Sequence, residues 1–149
     1  MEQHPKKIHH VLLYSYTIYF LTIVVGVIFD TFFKIKLFSG EIFQFLGVII
    51  VILGTLIIFW AQRTSKRSKI EGKRDFHRGP YKISRHPTSI ALMVITLGLG
   101  LILNSFFVIV MTIVVFFIKS IFAKREERIL GQKYGEDYFE YKSKVRTWL

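Results

Sequence analysis

Arg78-Gly79-Pro80-Tyr81-Lys82-Ile83-Ser84-Arg85-His86-Pro87 is a polar, basic, proline-bounded segment set between hydrophobic runs long enough to cross a bilayer. Each proline lacks an amide donor and pushes the residue before it away from the helical region, so Pro80 and Pro87 bracket a loop. Gly79 permits a turn that a side chain would obstruct. Two prolines and a few cations also suit an ordinary cytoplasmic loop. A functional loop has a further reason to set Arg85 and His86 at the mouth of the next apolar helix. There a fixed cation and a titratable imidazole face the same cavity.

The residues around the loop fix the class of protein. Of 149 residues, 52% are hydrophobic and 15 are Phe. A soluble domain of this length buries only part of the surface it owns, so lipid must cover most of that content. The formal charge of +11 in a soluble chain suggests nucleic acid. Here the cations flank the hydrophobic runs, and anionic headgroups with the positive-inside rule account for them, so no nucleic-acid partner is expected. With no cysteine there is no disulfide framework, thiolate nucleophile or thiolate metal site. His9 and His10 are adjacent, and His77 and His86 lack partners at ligand spacing, so no metal site is expected either.

Outward from the loop, the sequence predicts an all-α, polytopic membrane helical bundle: four transmembrane helices and a C-terminal amphipathic cytoplasmic segment, in one domain over residues 1–149. The first span covers 11–29, after a polar leader; no small-residue cleavage site follows it, which argues against a signal peptide. Its nineteen residues reach roughly 28 Å as a helix. Asp30 to Glu41 reads as a connection. The second span covers 42–61 and ends on Trp60 as an interfacial anchor. Gly47 and Gly54 lie seven apart on one face, so another helix can approach closely there.

Residues 62–87 form the cytoplasmic, catalytic loop. From Arg63 to Arg85 nine cations face only Glu71 and Asp75, a run that marks the cytoplasmic side and suits anionic headgroups. The third span, 88–103, breaks at Asn104-Ser105, and the fourth, 105–122, completes an antiparallel hairpin. Gly98 and Gly100 thin the third helix, either for packing or to admit a flat ligand beside the backbone. Lys119, near the end of the fourth, is placed to snorkel. In the tail, 123–149, Glu127, Leu130, Tyr134, Tyr138 and Tyr141 share one helical face by their spacing. Gly131 and Gly135 predict a bend near Gly135. Four spans with the basic loop inside put both termini and the site on the cytoplasmic side, and return Glu126 and Glu127 to Arg85 and His86.

Gly79-Pro80-Tyr81, Arg85-His86-Pro87, Gly98 and Leu103-Asn104-Ser105 resemble the isoprenylcysteine carboxyl methyltransferase family, itself similar to the phospholipid N-methyltransferases. The tail adds to the resemblance with Glu126-Glu127-x-x-Leu130, Tyr134-Gly135, Tyr138, Tyr141 and Val145. It covers roughly residues 60 to 149, and the pairing of two separate motifs makes it specific. The resemblance implies an S-adenosylmethionine-dependent methyltransferase with a lipophilic acceptor, a carboxylate as in isoprenylcysteine O-methylation or the amine of a phosphatidylethanolamine. It implies that loop, hairpin and tail hold the cofactor through Tyr81, His86, Pro87 and Gly98 on one side. Glu126, Glu127, Leu130, Tyr134 and Tyr138 complete the set on the other. Arg85 and His86 are the implied catalytic residues, Arg85 matching a position suited to a substrate carboxylate. The chain departs from the pattern at Ser89, where an aromatic is usual, at Ala91, where glycine is usual, and in a tail that lacks the common proline.

The chemistry agrees with those roles. A zwitterionic amino-acid end needs an acceptor for its ammonium and donors for its carboxylate, which Glu127 and His86 or Arg85 supply. Glu126 points about 100° away from Glu127 on a helix, so one of the pair is expected to face the site, and the tyrosine stripe favours Glu127. The alternative for the pair is a solvated face partnered by Lys124 and Arg128. The tyrosines serve equally as interfacial anchors or as an adenine wall. Two other classes fit parts of the pattern: a nicotinamide-dependent sterol reductase, and a non-catalytic membrane protein that grips anionic lipid through its basic loop.

Overall fold

The computed structural model describes residues 6–36, 41–70 and 78–148. Among the described residues five α-helices follow one another: α1 (Lys6–Phe33), α2 (Glu41–Ile70), α3 (Pro87–Ile102), α4 (Phe106–Tyr134) and α5 (Glu136–Lys144), with a 3-10 turn at Gly79–Lys82 before α3. Residues 1–5, 37–40, 71–77 and Leu149 lie outside the described residues, and with them the first half of the polar leader and Glu71, Asp75 and His77.

Three of these helices, α1, α2 and α4, are long and apolar enough to cross a membrane. Their large side chains point outward: Phe20, Phe32, Ile42, Phe45, Phe59, Phe117 and Ile121 are each more than 60% exposed. No soluble monomer leaves that much continuous apolar surface in water, so the chain is an integral membrane helical bundle. α3 is shorter, at 16 residues, or about 24 Å at helical rise. It is also the central element, packing against α1, α2 and α4.

Glycine makes the α2–α3 seam. A Cβ on Gly47 would sit 2.7 Å from the Gly98 carbonyl, and one on Gly98 would sit 2.8 Å from the Gly47 carbonyl. Gly54 faces Ala91 and Ile95 in the same way. The close approach expected at Gly47 and Gly54 is therefore present, and Gly98 and Ala91 are its other half. Three buried threonine hydroxyls are satisfied within their own helices. Buried Thr22, Thr96 and Thr112 donate to the carbonyls of Ile18, Leu92 and Val108 at 2.6–2.8 Å, which removes the cost of an unpaired hydroxyl in lipid.

Element ends differ from the sequence reading in ways the local chemistry explains. α1 continues through Asp30 to Phe33 because that carboxylate is used by another helix. It accepts from the Ser105 hydroxyl and from the Phe107 amide at 3.4 Å. Ser105 in turn accepts from the Val108 amide at 3.1 Å, so α4 starts under a two-residue cap. α2 runs on past Ala61 to Ile70, well into the expected loop. α4 does not stop at residue 122 but carries the charged tail onward to Tyr134. The bend expected near Gly135 is there: Gly135 has φ 58 and ψ −135 and joins α4 to α5.

Candidate active site

The proline-bounded loop is built against α2 and the C-terminal segment. Gly79 has φ +61, and a Cβ there would meet the Thr64 hydroxyl of α2 at 2.5 Å. A left-handed turn in that space admits only glycine. The Pro80 carbonyl takes the amides of Ile83 and Ser84 at 3.1 and 3.2 Å. From the far end of the chain, the Tyr141 hydroxyl donates to the Tyr81 carbonyl at 2.8 Å. The Ser84 hydroxyl donates to the Thr147 carbonyl at 3.0 Å, and the Arg85 amide donates to the Arg146 carbonyl at 3.2 Å. The C-terminal segment of residues 145–148 thus lies along the loop and fixes the direction of Arg85 and His86.

Pro87 is buried at the first position of α3, where its missing amide costs nothing. His86 caps that helix through its carbonyl, which accepts from Ser89 and Ile90. Its side chain is turned toward α4, where Glu126 and Glu127 wait on successive positions. His86 Nδ1 lies 3.6 Å from Glu126 Oε2, and Nε2 lies 3.6 Å from Glu127 Oε1. Both carboxylates therefore flank one imidazole, where helical geometry alone suggested that a single one would face the site. The ring sits between them, so successive positions reach its opposite edges.

Each carboxylate has its own cation. Arg85 Nη1 donates to Glu127 Oε2 at 2.8 Å, its other terminal nitrogen donates to the Thr147 hydroxyl, and Lys142 of α5 lies 3.2 Å from Glu127 Oε2. Glu127 is 4% exposed. Lys119 is buried rather than snorkelling: it donates to Glu126 Oε1 at 3.1 Å and to the Ser15 hydroxyl of α1 at 2.8 Å. An inward carboxylate and hydroxyl hold the ammonium better here than a headgroup does. Among the described residues, His86 Nε2, Glu127 Oε1 and Arg85 Nε have no hydrogen-bond partner although buried.

The remaining expected residues fall in two places. Leu130 and Tyr134 pack on a cluster of Tyr138, Tyr141 and Val145 beside the charged group, and Tyr81 joins it through its carbonyl. Gly98 does not belong to that neighbourhood. It lies eleven residues along α3 from Pro87, about 16 Å by helical rise, with α2 filling the space above it. Lys119, Ser15, Lys142, Thr147 and Trp148 are neighbours that the sequence reading did not assign to the site. Trp148 packs between His86, at 5.5 Å between ring centroids, and Phe116, at 4.9 Å, with its ring tilted to both. The Lys119–Glu126 spacing of seven, one face of a helix, was the one readable signal for that pair.

What the arrangement offers is a buried charged cluster at the edge of an apolar bundle, in which an imidazole and a carboxylate oxygen face each other at 3.6 Å and a guanidinium donor, Arg85 Nε, has no hydrogen-bond partner. A profile of the phospholipid methyltransferase family matches residues 42–137, from the start of α2 into α5 and including the loop and both glutamates. No curated protein and no solved structure matches the chain. The match extends over most of the chain and over the elements that bring Arg85 and His86 to Glu126 and Glu127, and the chain belongs to the phospholipid methyltransferase family.

Proposed function

We propose that the chain is an S-adenosylmethionine-dependent methyltransferase of a lipophilic acceptor, in which Glu127, Arg85 and His86 cradle the methionine end of the cofactor. The observation that carries this reading is a buried group of three charged or titratable side chains held loosely against one another: Glu127 Oε1 and His86 Nε2 face each other at 3.6 Å, beyond hydrogen-bond length, and Arg85 Nε beside them has no hydrogen-bond partner. An amino-acid zwitterion brings one ammonium and one carboxylate, the complement of that set. The residues present therefore fit the group. Glu127 would take the ammonium, and Arg85 with His86 the carboxylate. Leu130, Tyr134 and Tyr138 supply an apolar wall suited to the adenine ring, with Tyr81 and Pro87 at the loop edge.

When bound, S-adenosylmethionine supplies a methyl group on a sulfonium, taken by an acceptor oxygen or nitrogen while the sulfur keeps the bonding pair. The chain's share of the work is alignment and the removal of water, for which a site at a membrane edge is suited. Arg85, Lys119 and Lys142 outnumber Glu126 and Glu127 by one charge in the cluster, which favours an anionic acceptor such as a prenylcysteine carboxylate. Such an acceptor carries no proton to remove, so no general base is needed. A second reading, an amine of the phosphatidylethanolamine type, draws on His86 between two carboxylates. That constellation can accept a proton from an attacking amine.

The α3–α4 hairpin supports four crossings, since α3 is joined to α4 by a short turn and packs against it. The basic excess about the loop supports a cytoplasmic site and cytoplasmic termini, with anionic headgroups as neighbours. The test is methyl transfer from labelled S-adenosylmethionine to total lipid extract and to prenylcysteine analogues, followed by alkali. Release of the label as volatile methanol identifies an ester and hence a carboxylate acceptor. Label retained by the lipid headgroup identifies N-methylation. No transfer to either, together with no saturable binding of S-adenosylhomocysteine, would leave a non-catalytic lipid-binding member of the family.

A further inference from the structure

α1 lies outside the region that the family profile matches, yet it reaches the charged cluster through one buried cation. Lys119 is 2% exposed on α4, within the apolar run. Ionisable groups in such a position are expensive unless a partner meets them, and they face the bundle interior where they have a task. Here the ammonium meets two oxygens from different elements, Ser15 Oγ of α1 at 2.8 Å and Glu126 Oε1 at 3.1 Å. The other oxygen of Glu126 is the one 3.6 Å from His86 Nδ1. The contacts form one continuous row, from Ser15 to Lys119 to Glu126 to His86, and the imidazole ends against Trp148 and Glu127.

We propose that Lys119 is a positioning residue for His86: anchored by Ser15 of α1, it holds Glu126, and through Glu126 it sets where the imidazole stands between Glu127 and Trp148. The ammonium spreads the charge of Glu126 over two partners. Without it, the carboxylate has His86 as its remaining partner and draws the ring off Trp148 and away from the open face of Glu127. The consequence for ligand binding rests on the reading of this cluster as a cofactor cradle. The consequence for the ring does not.

Trp148 is one of two tryptophans in the chain, and the other, Trp60, is exposed on α2. In a Trp60→Phe background the emission of Trp148 therefore reports the adjacent imidazole directly, with His86→Gln as the reference that lacks it. Lys119→Met is expected to raise Trp148 emission most of the way to the His86→Gln level. Ser15→Ala, which keeps the ammonium but removes its anchor, should raise it part of the way. In a Glu126→Gln background Lys119→Met should add nothing. S-adenosylhomocysteine affinity should fall about fivefold in Lys119→Met, or roughly 1 kcal/mol, and Lys119→Arg should recover most of it. Equal changes in emission with and without Glu126 would assign Lys119 a merely structural role and overturn the proposal, as would unchanged emission in both Lys119→Met and Ser15→Ala. If Lys119→Met does not fold, the Ser15→Ala emission decides. If the wild-type protein binds no S-adenosylhomocysteine, the cofactor reading fails while the emission series still decides the role of Lys119.

Discussion

Replacing Glu127 by Gln keeps the size of the side chain and one acceptor oxygen while removing the charge that Arg85 and Lys142 meet at 2.8 and 3.2 Å. A hydrogen bond to a charged group contributes about 1.5–3 kcal/mol and a neutral one about 0.5–1.5, so the Arg85 contact should lose roughly 1–2 kcal/mol. Lys142 is 44% exposed, and solvent screening limits its share to well under about 1 kcal/mol. The variant should therefore lose about 1.5–2.5 kcal/mol of interaction. If the same carboxylate holds the cofactor's ammonium, S-adenosylhomocysteine affinity should fall by one to two decades. Glu126→Gln is the control. It strips the counterion from buried Lys119, so it should lower thermal stability at least as much, yet cost less than about tenfold in affinity. The assays are calorimetric titration with S-adenosylhomocysteine and thermal unfolding, both in detergent. Equal affinity losses in the two variants would refute the assignment of Glu127 over Glu126.

Three further outcomes are expected. Gly47→Ala forces a methyl to 2.7 Å from the Gly98 carbonyl, a backbone atom that cannot turn aside, and should cost about 1–3 kcal/mol of stability; unchanged unfolding would mean that α2 and α3 do not meet along that seam. Gly135→Ala meets no neighbour, but φ 58 with ψ −135 is essentially a glycine conformation, so a loss of about 1–3 kcal/mol should come from strain alone, and retention of wild-type stability would mean a different α4–α5 bend. In this cysteine-free chain, Leu103→Cys and Ile83→Cys, both at exposed positions, should react with an impermeant thiol reagent from opposite faces of the membrane, and labelling from one face would exclude a full crossing by α3.

How far the sequence could be read depended on whether a partner was local or distant. Gly47 and Gly54 announce a close-packed face because their spacing is helical and a missing Cβ means the same thing wherever the other helix comes from. Gly135 announces a bend for a similar reason. The meeting of Arg85 and His86 with Glu126 and Glu127 was readable only because two motifs carried a resemblance in tandem; hydrophobic periodicity contains nothing that joins them. Asp30 was read as the end of a helix since a carboxylate seldom continues an apolar span, and its true use, capping α4, depends on Ser105, 75 positions later. Lys119 misled in the same manner. A lysine near a helix end normally extends to the interface, and the hydroxyl that draws it inward belongs to a different helix. Thr147 and Trp148 stand in the part of the tail that departs from the resemblance, so no pattern pointed to them, although they fix Arg85 and His86 more directly than any loop residue. Gly98, conversely, was carried into the site by resemblance, and the bulk of α2 accounts for it instead.

The tie between Ser15 and Lys119 also bears on how the chain is made. A lysine inside an apolar segment raises the free energy of entering the bilayer, so α4, emerging from the ribosome alone, would meet lipid with its ammonium unmatched. The hydroxyl that relieves it was synthesised 104 residues earlier, in a helix that must already be in the membrane and still within reach. The Asp30 contacts with Ser105 and Phe107 hold the opposite ends of the same two helices together. α1 thus serves α4 as a built-in partner in lipid, supplied from 104 residues earlier in the same chain.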